Sequence, residues 1–164
     1  MVSEFTQELK NLIGEKTRDM HTVLPGRVLS FDPDKCEAVV LPHGKYRKPD
    51  GTAMDFPQIS SVPVYFPQGA GQTAIIAWPV KPGDECLLLF AEQTLETWKS
   101  GAASNTDLRF DLQNAVAIVG LFSKANPLVR EACDTNSIII RSAGAVNIAS
   151  DSTVSVNAPV INLN

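Results

Sequence analysis

The feature that most restricts this chain is an eight-residue beat at its C-terminal end, in "SIIIRSAGAVNIASDSTVSVNAPVINLN". Ile138 and Ile140 form an apolar pair at i, i+2. Val146 and Ile148 repeat it eight residues on, and Val154 and Val156 eight further. A fourth pair, Ile161 and Leu163, arrives one residue early, after Pro159. Small and polar residues lie between the pairs. Because strand side chains repeat every two residues, each pair falls on one face of a short strand. A segment this short has no second layer of its own to cover that face. Left in water, it would be an apolar patch on an open sheet edge.

Two structures resolve this. The tail can fold back as a meander of tiny strands on the preceding domain. Alternatively it can associate with copies of itself. A single-chain β-solenoid needs about 20 residues per coil and several coils to hide a core. This tail offers barely more than one. Three intertwined copies remove the difficulty: each octad gives one strand on a face of a triangular prism, and Gly144 and its small neighbours turn the corners. The eight residues Ile138, Ile140, Val146, Ile148, Val154, Val156, Ile161 and Leu163 then form the shared core of a short triple-stranded β-helix.

Upstream of the tail, residues 3–20 read as a helix, with Phe5, Leu9, Leu12, Ile13 and Met20 near a 3.6-residue period. From Thr22 to about Phe122 the signal is strand after strand. Arg27–Phe31 and Cys36–Leu41 flank a "DPDK" turn, and Pro49-Asp50-Gly51 marks a second turn. "SVPVYFPQ" carries Pro63 and Pro67 and reads as an edge strand. "QTAIIAWPV" reads as a strand, and "ECLLLFAE" as a strand buried on both faces. "EQTLETWKSG" is a helical interruption closed by Gly101. Ala115 to Leu121 forms the last strand. Five or six short strands with one helix predict an all-β chain built on an OB-type Greek-key barrel. An SH3-like barrel or a small sandwich has similar spacing. The expected organisation is an N-terminal helix (1–21), a barrel (22–122), a linker (123–135) and the octad tail (136–164).

Composition narrows the function classes. A net charge of −4 argues against a nucleic-acid binder, which shows a basic face. The N-terminus has no apolar stretch of the signal-peptide kind, so synthesis in the cytoplasm without a signal peptide is expected. Cys36, Cys86 and Cys133 lack CxxC spacing and read as reduced, small buried hydrophobes. Catalytic chemistry finds little support. Asp84 and Glu85 sit in the "KPGDE" turn, Asp107 and Asp111 flank Arg109 as loop charges, and "GAG" at 69–71 lacks the lysine of a phosphate loop. His21 and His43 stand without a nucleophile in a known order. Trp78 and Trp98 read as core or interface aromatics. No enzymatic activity and no cofactor are expected.

The segments "HTVLPGRVLSFDPDKCEAVVLP" (21–42), "PDGTAMDFPQISSVPVYFPQGAGQ" (49–72), "PVKPGDECLLLFAEQTLETWKSG" (79–101) and "DLRFDLQNAVAIVGL" (107–121), followed by the octads, resemble the central baseplate spike of contractile-tailed, Mu-like phages. That resemblance implies a homotrimer with a ring of OB domains and a triple-stranded β-helix. It implies a virion component in the tail baseplate that meets a hub protein of the tail tube and pierces the host outer membrane when the sheath contracts. Spikes of R-type bacteriocins and type VI secretion devices share these parts. A receptor-binding fibre tip that recognises surface glycan is the alternative. Spikes of this kind often end in an iron site held by a His-x-His pair. Both histidines here lie outside the tail, so no metal is expected in this chain, and a separate tip-capping protein is expected to close the shaft.

Overall fold

The computed structural model describes residues 4–18, 20–48, 50–102 and 108–162. They divide into two compact units, 1–123 and 124–164. The first begins with helix α1 (Glu4–Arg18). Strands β1 (Val23–Asp32), β2 (Glu37–Pro42), β3 (Lys45–Arg47), β4 (Ala53–Asp55), β5 (Ile59–Pro63), β6 (Gln68–Gly69), β7 (Ala74–Ile75) and β8 (Glu85–Phe90) follow. Helix α2 (Leu95–Ser100) and strand β9 (Ala115–Val119) complete it. Five strands form one antiparallel sheet in the order β5-β2-β1-β8-β9. Its two ends meet through a parallel bridge between Val64 and Ala117, and the Tyr65 N–H donates to the Ala117 carbonyl at 2.9 Å. The sheet therefore curls on itself into a small five-stranded antiparallel barrel.

Local chemistry explains the curl. β1 pairs with β8 through Val23–Arg27 and with β2 through Gly26–Asp32, so it serves both halves of the barrel. A register shift between Val28 and Ser30 bends it where it changes partner. Gly26 sits at that crossover. A Cβ there would lie 2.8 Å from Val40 Cγ1 and 3.1 Å from Leu88 Cδ1, so the strands approach closely only because the residue is glycine. The turn to β2 is tied by Asp32, whose Oδ1 accepts from the Asp34 N–H at 3.0 Å. The inward face holds Val28, Val40, Val62, Cys86, Leu88 and Ala117, each almost fully buried. Asn114 is the buried polar residue of this core. Its Nδ2 donates to Leu108 O at 2.7 Å and its Oδ1 accepts from Leu95 N at 3.4 Å, pinning the excursion between β8 and β9.

Several expectations are met and others change. The edge position expected around Pro63 is the position β5 occupies. α2 ends at Gly101 in the left-handed region, φ 69°, with Thr94 accepting from Glu96 N at its start. The strand expected over "QTAIIAWPV" shrinks to the two residues of β7, and the last strand ends at Val119. β8 is not buried on both faces: Cys86, Leu88 and Phe90 point in, while Leu87 is half-buried and Leu89 exposed. Of the cysteines, only Cys86 is buried; Cys36 and Cys133 are exposed. α1 leaves Phe5, Leu9, Leu12 and Ile13 exposed.

Candidate functional site

The second unit holds the octads and begins with helix α3 (Pro127–Thr135), which lies within the stretch read as a linker. Asn126 caps it by accepting from the Leu128 N–H, and Pro127 occupies the first turn, where its missing N–H costs nothing. Asn136 ends it in the left-handed region, φ 50°, and its N–H reaches back to the carbonyls of Ala132 and Cys133. A capped, sharply stopped helix thus delivers the chain into the tail at a fixed residue.

From residue 137 to 162 the chain is in no helix or strand. The backbone bends at 143–144, 151–152 and 159, again eight residues apart. At the first bend Ser142 Oγ accepts from the Gly144 N–H at 3.1 Å, and at the second Ser150 Oγ accepts from the Ser152 N–H at 3.2 Å. The same serine-based turn therefore recurs with the period of the apolar pairs. At the third bend Ala158 lacks a hydroxyl, and Pro159 sets the turn by its ring instead. The corners keep the metre that the fourth apolar pair breaks.

The structure leaves the expected core residues open. Ile138 is 94% exposed and Ile148 74%, and Ile140, Val146, Val154, Val156 and Ile161 are exposed as well. Leu163 lies outside the described residues. Within the tail no meander of strands forms among the described residues. There, neither backbone ladders nor packed aliphatic pairs form within the tail. From residue 137 onward the charges are Arg141 and Asp151 alone.

The residues weighed for catalysis take structural positions. Asp84 Oδ2 accepts from the Lys81 N–H at 2.9 Å and closes the turn into β8. Glu85 accepts from both the backbone N–H and the hydroxyl of Ser123, and these two hydrogen bonds hold its carboxyl below the ordinary value. Asp111 caps a short turn through the Gln113 N–H at 2.8 Å, and Arg109 lies 4.0 Å from Glu92. Asp107 lies outside the described residues. His21 packs edge-on against Phe56, with ring centroids 5.5 Å apart. The His43 N–H donates to Pro25 O at 2.8 Å. Trp78 meets Phe66 at the barrel rim, whereas Trp98 is exposed on α2. Among the described residues no cluster of three or more His, Cys, Asp or Glu is placed to hold a metal.

Sequence reasoning missed the two turn serines, although Ser-x-Gly and Ser-x-Ser at an eight-residue interval are legible in the chain. No curated protein matches the chain. Residues 24–120, which span the barrel and more than half of the sequence, match the family described as phage protein Gp138 N-terminal domain, and the chain belongs to that family.

Proposed function

We propose that the protein is the trimeric central spike of a contractile phage tail baseplate, which breaches the host outer membrane when the sheath contracts. The observation that carries this is the tail: three serine- or proline-set corners at an eight-residue interval, with the aliphatic pairs Val146/Ile148 and Val154/Val156 after the first two and Ile161 after the third left in solvent by their own chain. Three copies wound about one axis bury every pair and turn each open edge into a ladder with a neighbouring chain. Membership of a phage protein family supports the setting.

The role is mechanical and needs no active site. A piercing shaft must not buckle or fray, and an intertwined shaft meets that demand because no chain leaves without breaking the ladders of two others. Its persistence is a matter of unfolding rate. Four strands at about 5 Å spacing give roughly 20 Å of shaft, against ~40–45 Å for a bilayer with its headgroups. The barrels face the tail-tube hub.

The test is the mass of the purified protein in solution together with an unboiled SDS gel. A trimer by light scattering that resists SDS until heated is expected. A monomer in dilute buffer overturns the proposal. Electron microscopy of the trimer is expected to show a ring with a short axial stub.

A further inference from the structure

Where the chain leaves the barrel, one residue holds it three times. β9 ends at Val119, and Gly120, at φ 120° in the region that favours glycine, turns the chain. The Gly120 N–H donates to the Glu85 carbonyl at 3.1 Å. Three residues on, the Ser123 hydroxyl donates to Glu85 Oε1 at 3.0 Å and the Ser123 N–H donates to Glu85 Oε2. Glu85 therefore grips both ends of the stretch from Gly120 to Ser123, and the second unit begins at the next residue. The carboxylate is itself set in place, because register puts Glu85 opposite Arg27 of β1. The two Ser123 bonds, and after them the nearby charges of His43 and Arg27, favour its ionised form.

Beside the held segment lies a recess of about 470 Å³, lined by Gly26, Arg27 and Cys86 of the sheet and by Leu121, Phe122 and Ser123. It sits at the end of the barrel where β8 starts and β9 finishes, since Cys86 pairs with both Gly26 and Val119. Leu121 is 47% exposed and Phe122 55%, so apolar burial does little to hold the segment down and the polar clasp does more. Cys86 borders the recess and is nonetheless fully buried.

We propose that residues 121–123 form a strap, clasped by Glu85, that shuts this end of the barrel over Cys86 and fixes the point from which the chain leaves. A strap held at one carboxylate opens as a unit when the clasp is lost, because few buried apolar contacts retain it. The strap belongs to one chain and is independent of the three-copy assembly. Its use rests on the function proposed above: a tail under load passes that load to the barrel through the chain beyond Ser123. β9 is the last strand of the sheet, joined to β8 on one side and to Val64 by a single bridge on the other. β8 is paired along both sides, to β1 and to β9. The clasp delivers load to β8 and spares β9 from being peeled away from its C-terminal end.

The test uses the full chain with Cys36→Ser and Cys133→Ser, which leaves Cys86 as the one thiol. Dithiodipyridine, small and uncharged, reads the exposure of that thiol by absorbance in the native protein at several low urea concentrations. Two variants release the clasp from opposite sides. Glu85→Ala removes the acceptor, whereas Ser123→Pro removes the N–H and the hydroxyl and leaves Glu85 in place. Each is expected to label Cys86 about tenfold faster than the parent or more, the effect of losing a hydrogen bond to a charged group. The faster rate is expected to be nearly flat in urea, since local opening exposes little surface. An unchanged rate in either variant overturns the strap. So does an acceleration that climbs steeply with urea and matches the loss of global stability in denaturant unfolding, because the whole barrel then has to unfold to expose the thiol. Either result leaves the spike reading standing. A monomer by light scattering overturns the use in load transfer, while the strap is judged by the thiol alone.

Discussion

Ile148→Asp separates assembly from folding more cleanly than any other single change. The side chain is 74% exposed in the isolated chain and sits outside the barrel core, so the barrel's own stability has nothing to lose. In the proposed trimer the same side chain is buried on the axis. Full burial of an isoleucine contributes about 2 kcal/mol, and roughly three-quarters of it remains to be gained on association. Three copies therefore forfeit about 4.5 kcal/mol, which is on the order of a thousandfold in the association constant. Three carboxylates meeting on an apolar axis add a further desolvation cost. Asn147→Asp is the control, since it lies one residue away and in the proposed β-helix strand its side chain points to the other face. Light scattering and an unboiled SDS gel read the outcome, and thermal unfolding reads the barrel. Expected are a folded monomer from Ile148→Asp and an SDS-resistant trimer from Asn147→Asp. A trimer of ordinary resistance from Ile148→Asp, or loss of the trimer in Asn147→Asp alone, refutes the inward orientation of the pairs.

Other perturbations address the barrel. Gly26→Ala forces a methyl group to 2.8 Å from Val40 Cγ1 and is expected to destabilise the barrel by about 1–3 kcal/mol, seen as a lower melting temperature. Leu88→Ala, at a fully buried site, is expected to cost about 2–5 kcal/mol in denaturant unfolding. Burial pushes the Cys86 thiol up to about 11, so iodoacetamide at pH 8 is expected to leave Cys86 unmodified in the native protein and to alkylate it once the chain is unfolded. The hydrogen bond from Lys99, at 2.6 Å, holds the Glu37 carboxyl below its ordinary value. A carboxyl depressed in the folded state contributes stability above its unfolded value, and loses it as pH falls through the folded one. Lys99→Met is accordingly expected to raise the Glu37 titration seen by NMR and to flatten the acid limb of stability below about pH 4.5.

What was legible in the sequence was what short-range periodicity and turn chemistry encode. β1 and β2 declare themselves by alternation around Asp32-Pro33-Asp34-Lys35, and α2 by Gly101 at its end. α3 was hidden because Pro127 reads as a break unless it is placed at the first turn behind Asn126, where it starts a helix. β7 fell short because the Tyr65–Val80 run folds onto itself in a two-residue ladder, Gln68–Gly69 with Ala74–Ile75, and leaves Ile75 and Ile76 facing solvent. β8 misled in a related way. Leu87 and Leu89 are as apolar as Leu88, and composition alone assigns them the same fate. The fold buries only the inward half of that continuous apolar strand. The octads carry the same logic further. The aliphatic residues exposed between 138 and 161 and the exposed Leu89 of β8 are alike in that the apolar pattern is plain in the sequence while the fold of the described residues does not cover them.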